Sequence, residues 1–110
     1  MKVPLETEPL RIFVTDLIDQ GLINAPTIVF GIHSGKRIRA RLMADGTFVH
    51  RRSIYSSPSA AAGQAITVEL GTTSAGRTYL PINGWKFWQV VCPDGKTRTL
   101  ADLRKQLLSY

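Results

Sequence analysis

Leu10, Phe13, Val14, Leu17 and Ile18 recur at the i, i+3, i+4, i+7, i+8 spacing of one helical stripe. Thr7 is placed to cap that helix, Pro9 falls in its first turn, and Gly21 is placed to end it. The stripe predicts a core helix without chemistry. After Asn24-Ala25-Pro26 the period changes. Thr27-Ile28-Val29-Phe30 is a β-branched and aromatic run that reads as a strand, and Gly31 and Gly35 bracket a predicted turn over Ile32-His33-Ser34. Arg37-Ile38-Arg39-Ala40-Arg41-Leu42 then alternates strictly, which predicts a hairpin from Lys36 to Arg52 around Asp45-Gly46. With a two-residue loop, Leu42 faces Val49, Arg41 faces His50 and Arg39 faces Arg52. Ile38, Ala40, Leu42 and Val49 share one side, while Arg37, Arg39, Arg41, His50 and Arg52 share the other. A three-residue loop changes those pairs but leaves the three alternating arginines together.

Ser53 to Ser56 continues extended, carrying Ile54 and Tyr55. Ser57-Pro58-Ser59-Ala60-Ala61-Ala62 reads as a helix start, with Ser57 as N-cap and Pro58 at the first helical position. This helix runs toward Leu70, with Gly71 to end it and small alanines to admit close neighbours. Residues 71–83 read as loop, Trp85 to Cys92 as an aromatic and β-branched strand, and Pro93-Asp94-Gly95-Lys96 as a turn after which Thr97-Arg98 pairs back. Thr99 and Asp102 have the spacing of a capping box ahead of a helix striped by Leu100, Leu103, Leu107 and Leu108. No internal repeat or long linker divides residues 1–110, which read as a single domain.

The chain has 110 residues, 44% of them hydrophobic and 20% charged, an ordinary globular balance. No apolar run approaches the roughly 18 residues of a membrane span, and Met1-Lys2-Val3-Pro4 opens no signal peptide. The lone Cys92 excludes an internal disulfide and a multi-cysteine zinc site; it reads as a buried hydrophobe, and the composition suggests a reducing cytoplasm. Charge changes the picture more. Residues 33–52 hold Lys36, Arg37, Arg39, Arg41, Arg51 and Arg52 against Asp45 alone, whereas the remaining ninety residues carry eight basic and seven acidic side chains. A concentrated basic segment is the footprint of a polyanion binder, and arginine suits phosphate and guanine.

Catalytic signals are thin. His33 and His50 have no partner at metal-ligand spacing, no glycine-rich phosphate loop or nucleophile elbow occurs, and the carboxylates form no acid–base pair. No metal, cofactor or enzymatic activity is expected. Two binding features remain. The N-terminus beginning at Ser57 and Ser59 offers backbone N–H groups to a phosphate. In Trp85-Lys86-Phe87-Trp88, an exposed tryptophan would stack on a base.

Gly35 to Leu42, Ala44-Asp45-Gly46, Tyr55-Ser56-Ser57-Pro58-Ser59-Ala60-Ala61-Ala62, Asn83-Gly84-Trp85-Lys86-Phe87-Trp88 and Leu100 with Leu103-Arg104 occur in this order. Together they resemble the restriction enzyme adenine methylase associated (RAMA) family over about residues 8–108. The resemblance implies a small α+β domain without catalysis of its own, found beside DNA methylases and restriction enzymes and proposed to read DNA, modified DNA in particular. With the elements above, that becomes a small antiparallel sheet of hairpins packed with three helices: N-terminal, central and C-terminal. Ser57, Pro58, Ser59, Asn83, Gly84, Trp85 and Trp88 carry over as members of the shared motifs. The chain departs from the pattern in its long stretch between Ala62 and Asn83, and Arg51-Arg52-Ser53 stands where a glycine-containing turn is expected.

The expected function is therefore a non-catalytic DNA-binding domain associated with restriction-modification. Lys36, Arg37, Arg39, Arg41 and Arg52, with His50 alongside, would hold the phosphate backbone, while Trp88 or Tyr55 and Asn83 would contact a base. Trp85, Lys86, Ser57 and Ser59 complete the expected contacts. A two-stranded ribbon of this kind fits a major groove. The alternative is a protein-interaction module that tethers a methylase or nuclease through its aromatic surface.

Overall fold

A computed structural model describes residues 12–71 and 82–109. The elements run α1 (Val14–Asp19), β1 (Thr27–His33), β2 (Lys36–Leu42), β3 (Phe48–His50), β4 (Ser53–Tyr55), α2 (Pro58–Leu70), α3 (Gly84–Phe87), β5 (Gln89–Val91), β6 (Thr97–Thr99) and α4 (Leu100–Leu108). Six antiparallel strands form one sheet in the order β4-β3-β2-β1-β5-β6. The α+β class stands, with the fourth helix, α3, added to the three expected. Thr7, Pro9 and Leu10 lie outside the described residues, as does most of the expected 71–83 loop.

Turn chemistry explains where the strands differ from expectation. Ser34 and Gly35 both have positive φ, at 51° and 78°, and together make a two-residue hairpin loop. Ile32 and His33 are thereby released into β1, which pairs with β2 along its whole length. The next loop holds three residues, Ala44-Asp45-Gly46, with Gly46 at φ 86° and the Asp45 carboxylate accepting from the Thr47 N–H at 3.0 Å and hydroxyl at 2.6 Å. Arg41 consequently faces Val49, and Leu42 faces Phe48. The expected two-residue register is corrected by one position, and a one-residue slip exchanges faces. His50 and Phe48 point into the core, and Val49 joins the arginines. Arg51 takes φ 57° in the tight turn to β4, the left-handed backbone for which glycine is the usual residue.

Helix α2 starts as expected: the Ser57 hydroxyl accepts from the Ala60 N–H at 3.2 Å, and Gly71 ends the helix. Its buried Ala61, Ala62, Gly63 and Ala65 carry little side chain, so it lies close to the sheet. The Thr99–Asp102 capping box of α4 is present in both directions, at 3.0 and 3.2 Å, and Leu100 and Leu103 are buried. The expected strand from Trp85 to Cys92 is corrected to a helical turn followed by β5. Asn83 caps that turn, its side-chain oxygen accepting from the N–H groups of Trp85 at 3.1 Å and Lys86 at 3.4 Å. The helices cover the side of the sheet carrying Val29, Ile38, Ala40, Leu42, Phe48 and Val90. Among the described residues, no element covers the other side.

Candidate nucleic-acid interface

Alternation along β2 buries Ile38, Ala40 and Leu42 and exposes Arg37, Arg39 and Arg41 on the uncovered side. Alternate residues of a strand stand about 6.8 Å apart, so the guanidiniums form a single file. Cross-strand register sets their neighbours: Arg37 lies opposite Ile32, Arg39 opposite Phe30, and Arg41 between Ile28 and Val49. Val49 is opposite Ile54, Phe30 is opposite Gln89, and Gln89 is opposite Thr99. The apolar members of this face are open to solvent: Ile28 is 46% exposed, Ile32 60%, Ile54 68% and Val91 55%. The Arg37 guanidinium sits 4.1 Å from the centre of the Phe30 ring, a cation–π contact. A depression of about 370 Å³ opens between Ile28, Arg39, Arg41, Val49 and Arg51. No strand position on this face holds a carboxylate, and among the described residues Arg37, Arg39 and Arg41 have no acidic partner.

The remaining basic candidates separate from this file. Lys36, His50 and Arg51 converge on Glu69 of α2 at 3.6, 2.9 and 3.2 Å. The hydrogen bond with His50 and the charges of Arg51 and Lys36 hold the Glu69 carboxyl below its ordinary value. His50 is buried and acts as a partner for this carboxylate. Lys36 shares this single carboxylate with Arg51, while Arg52 is exposed in the β3–β4 turn. The ribbon geometry also changes. β2 has a strand on each side, so at about 4.8 Å per strand the sheet is too broad to enter a major groove about 12 Å wide as a two-stranded hairpin.

The residues of the serine and tryptophan motifs form a clasp between α2 and α3. The Ser59 hydroxyl accepts from the Gly84 N–H at 3.0 Å, and the Trp88 indole N–H donates to the Pro58 carbonyl at 2.9 Å. Trp88 is fully buried, edge-on to Phe87 at 4.8 Å between ring centres and stacked with Phe48 at 6.0 Å. It presents no face to a base. Tyr55 is half-buried against the core. At the α2 N-terminus, Ser57 already occupies the Ala60 N–H and Pro58 has no N–H, which leaves little for a phosphate.

Trp85 and Lys86 lie on the helical side. Arg104 of α4 covers the Trp85 ring at 4.4 Å, and Lys86 is exposed. A cleft of about 470 Å³ beside Trp85 is lined also by Phe13, Thr15, Asp45, Ser56 and Ser57. The structure thus brings three of the expected contacts, Arg37, Arg39 and Arg41, into one surface and places the others in the Glu69 cluster, the clasp, the β3–β4 turn or the helical side. Sequence reasoning missed Ile28, Phe30, Ile32 and Val91 as members of that surface. The period-two run of β1 continuing through Gly31 was the available signal. Among the described residues, no helix is long and apolar enough to cross a membrane, and no cluster of three metal-ligating side chains occurs.

The family model described as Restriction Enzyme Adenine Methylase Associated matches residues 2–110. No curated protein matches the chain.

Proposed function

The chain belongs to the restriction enzyme adenine methylase associated (RAMA) family, and from that premise we propose that it is a non-catalytic DNA-binding domain whose open sheet face holds phosphates. The observation that carries this reading is the file Arg37, Arg39 and Arg41, three guanidiniums on one face with no carboxylate at its strand positions. Arginine donates in a planar fork matched to phosphate oxygens and keeps its charge at any physiological pH. The family's association with restriction-modification methylases makes DNA the polyanion of this reading, methylated DNA included.

Three phosphate contacts predict that log K for duplex DNA falls against log salt with a slope of about −3. Arg39→Ala and Arg41→Ala are each expected to reduce that slope by about one and to weaken binding across sequences. Titrations of labelled DNA at several salt concentrations measure both quantities. Salt-independent affinity, or alanine variants that leave the slope in place, would remove the basis of the proposal.

A second reading draws on the exposure of Ile28, Ile32, Ile54 and Val91. Large apolar side chains left exposed on both sides of the arginine file also mark protein docking, so the domain would tether a methylase or nuclease. It predicts association that is insensitive to salt and lost on replacing Ile54 rather than Arg39.

A further inference from the structure

The uncovered face is asymmetric, and the asymmetry distinguishes between forms of nucleic acid. Its strand guanidiniums occupy β2 alone, in one file flanked on the far side by Val49 and exposed Ile54, with Arg51 in the turn beyond and paired to Glu69. On the near side of the file, β1 presents Ile28, Phe30 and Ile32 at the same three levels, each directly opposite an arginine. Beyond β1 come Gln89 and exposed Val91 on β5, then Thr97 and Thr99 on β6, all uncharged. Across this part of the face the order is cation, apolar, then neutral polar.

A duplex groove is bounded by two rows of phosphates with the bases recessed between them. Laid on this face, a duplex would set one row against the arginines and the other over uncharged Gln89 and the β6 threonines. A single strand has one row of phosphates, with its bases free to turn to one side. The pitch of about 6.8 Å between alternate residues of β2 is close to the separation of successive phosphates along an extended strand. The neighbouring apolar row is where the bases would then fall. Phe30 is half-buried with the Arg37 guanidinium 4.1 Å over its ring centre, a capped aromatic whose outer guanidinium plane and free ring edge meet bases of any identity.

We infer that the open sheet face takes single-stranded nucleic acid, with phosphates along Arg37, Arg39 and Arg41 and bases across Phe30, Ile28 and Ile32. This rests on the nucleic-acid reading above and deepens it by naming the form of the ligand. The charge pattern chooses this occupant over an uncharged protein surface, since a file of three arginines, with no acidic partner among the described residues, would be desolvated without compensation against an apolar partner.

The test is fluorescence anisotropy with a mixed-sequence single strand of about ten nucleotides and its matched duplex, at the same salt concentration. The single strand is expected to bind roughly fivefold tighter or more, with a log–log salt slope near −2 for three contacts. Phe30→Ala is expected to weaken the single strand roughly fivefold or more and to change duplex affinity less than about twofold. Ile32→Ser, at a side chain 60% exposed, guards against loss of fold. It is expected to weaken single-strand binding about twofold with an unchanged Tm. A duplex that binds as tightly as the strand, or tighter, overturns the inference and leaves the DNA-binding reading standing. Failure of both oligonucleotides to bind in a salt-dependent way overturns both, as does association of the chain with itself through this face in preference to either.

Discussion

Replacing Trp88 with alanine is expected to lower the unfolding free energy by about 3–5 kcal/mol. The indole is fully buried, stacks with Phe48, meets Phe87 edge-on and donates to the Pro58 carbonyl. Its removal therefore opens a cavity and leaves a carbonyl without its donor. Domains of this size have only about 5–15 kcal/mol of stability in all, so the variant stands close to unfolding at ordinary temperature. Trp88→Phe keeps most of the volume and loses the hydrogen bond, for an expected cost of about 1–3 kcal/mol. Urea unfolding followed by far-ultraviolet circular dichroism measures both. A base-stacking tryptophan would behave the opposite way, losing nucleic-acid affinity while the urea midpoint stayed in place.

Gly84→Ala is expected to cost about 3 kcal/mol, although it adds a single methyl group. The added carbon would overlap the Pro58 carbonyl and the Ser59 nitrogen, which are backbone atoms of the first turn of α2 and have no rotamer by which to retreat. Separating α3 from α2 to admit it would break the Gly84–Ser59 and Trp88–Pro58 hydrogen bonds together. Ser59→Ala removes only the first of these and is expected to cost about 1 kcal/mol. A Gly84→Ala protein as stable as the wild type would contradict the clasp. These two sites show why serine and tryptophan motifs so far apart in sequence belong to one structural unit: they lock two helices across a gap of about twenty-five residues.

Much of the interface was legible because strand alternation is a local, period-two property. Arg37, Arg39 and Arg41 share a side whatever the adjoining loop does. The caps of α2 and α4 were equally legible, since Ser57 and Thr99 act on N–H groups three residues away. His50 was not, because one additional loop residue, fixed by the Asp45 side chain and the positive φ of Gly46, reverses the direction of everything after it. Trp85-Lys86-Phe87 carries the composition of a strand, yet the Asn83 cap and the close approach of Gly84 to Pro58 hold it in a helical turn. The apolar row beside the arginines follows from the local β1–β2 hairpin closed at Ser34-Gly35, whereas the neutral polar row beyond it depends on β5 pairing with β1 from far along the chain, a pairing for which local periodicity contains no signal.

The central claim is that the uncovered face of the sheet, rather than the helical side, receives nucleic acid. Nuclear magnetic resonance of the isotope-labelled chain during titration with an oligonucleotide tests it most directly. The account predicts that the largest shifts fall on the amides of β1 and β2 and on the guanidinium N–H groups of Arg37, Arg39 and Arg41, with Gln89 and Val91 following. Shifts gathered instead around Trp85, Lys86 and Arg104, with β1 and β2 unmoved, would contradict it.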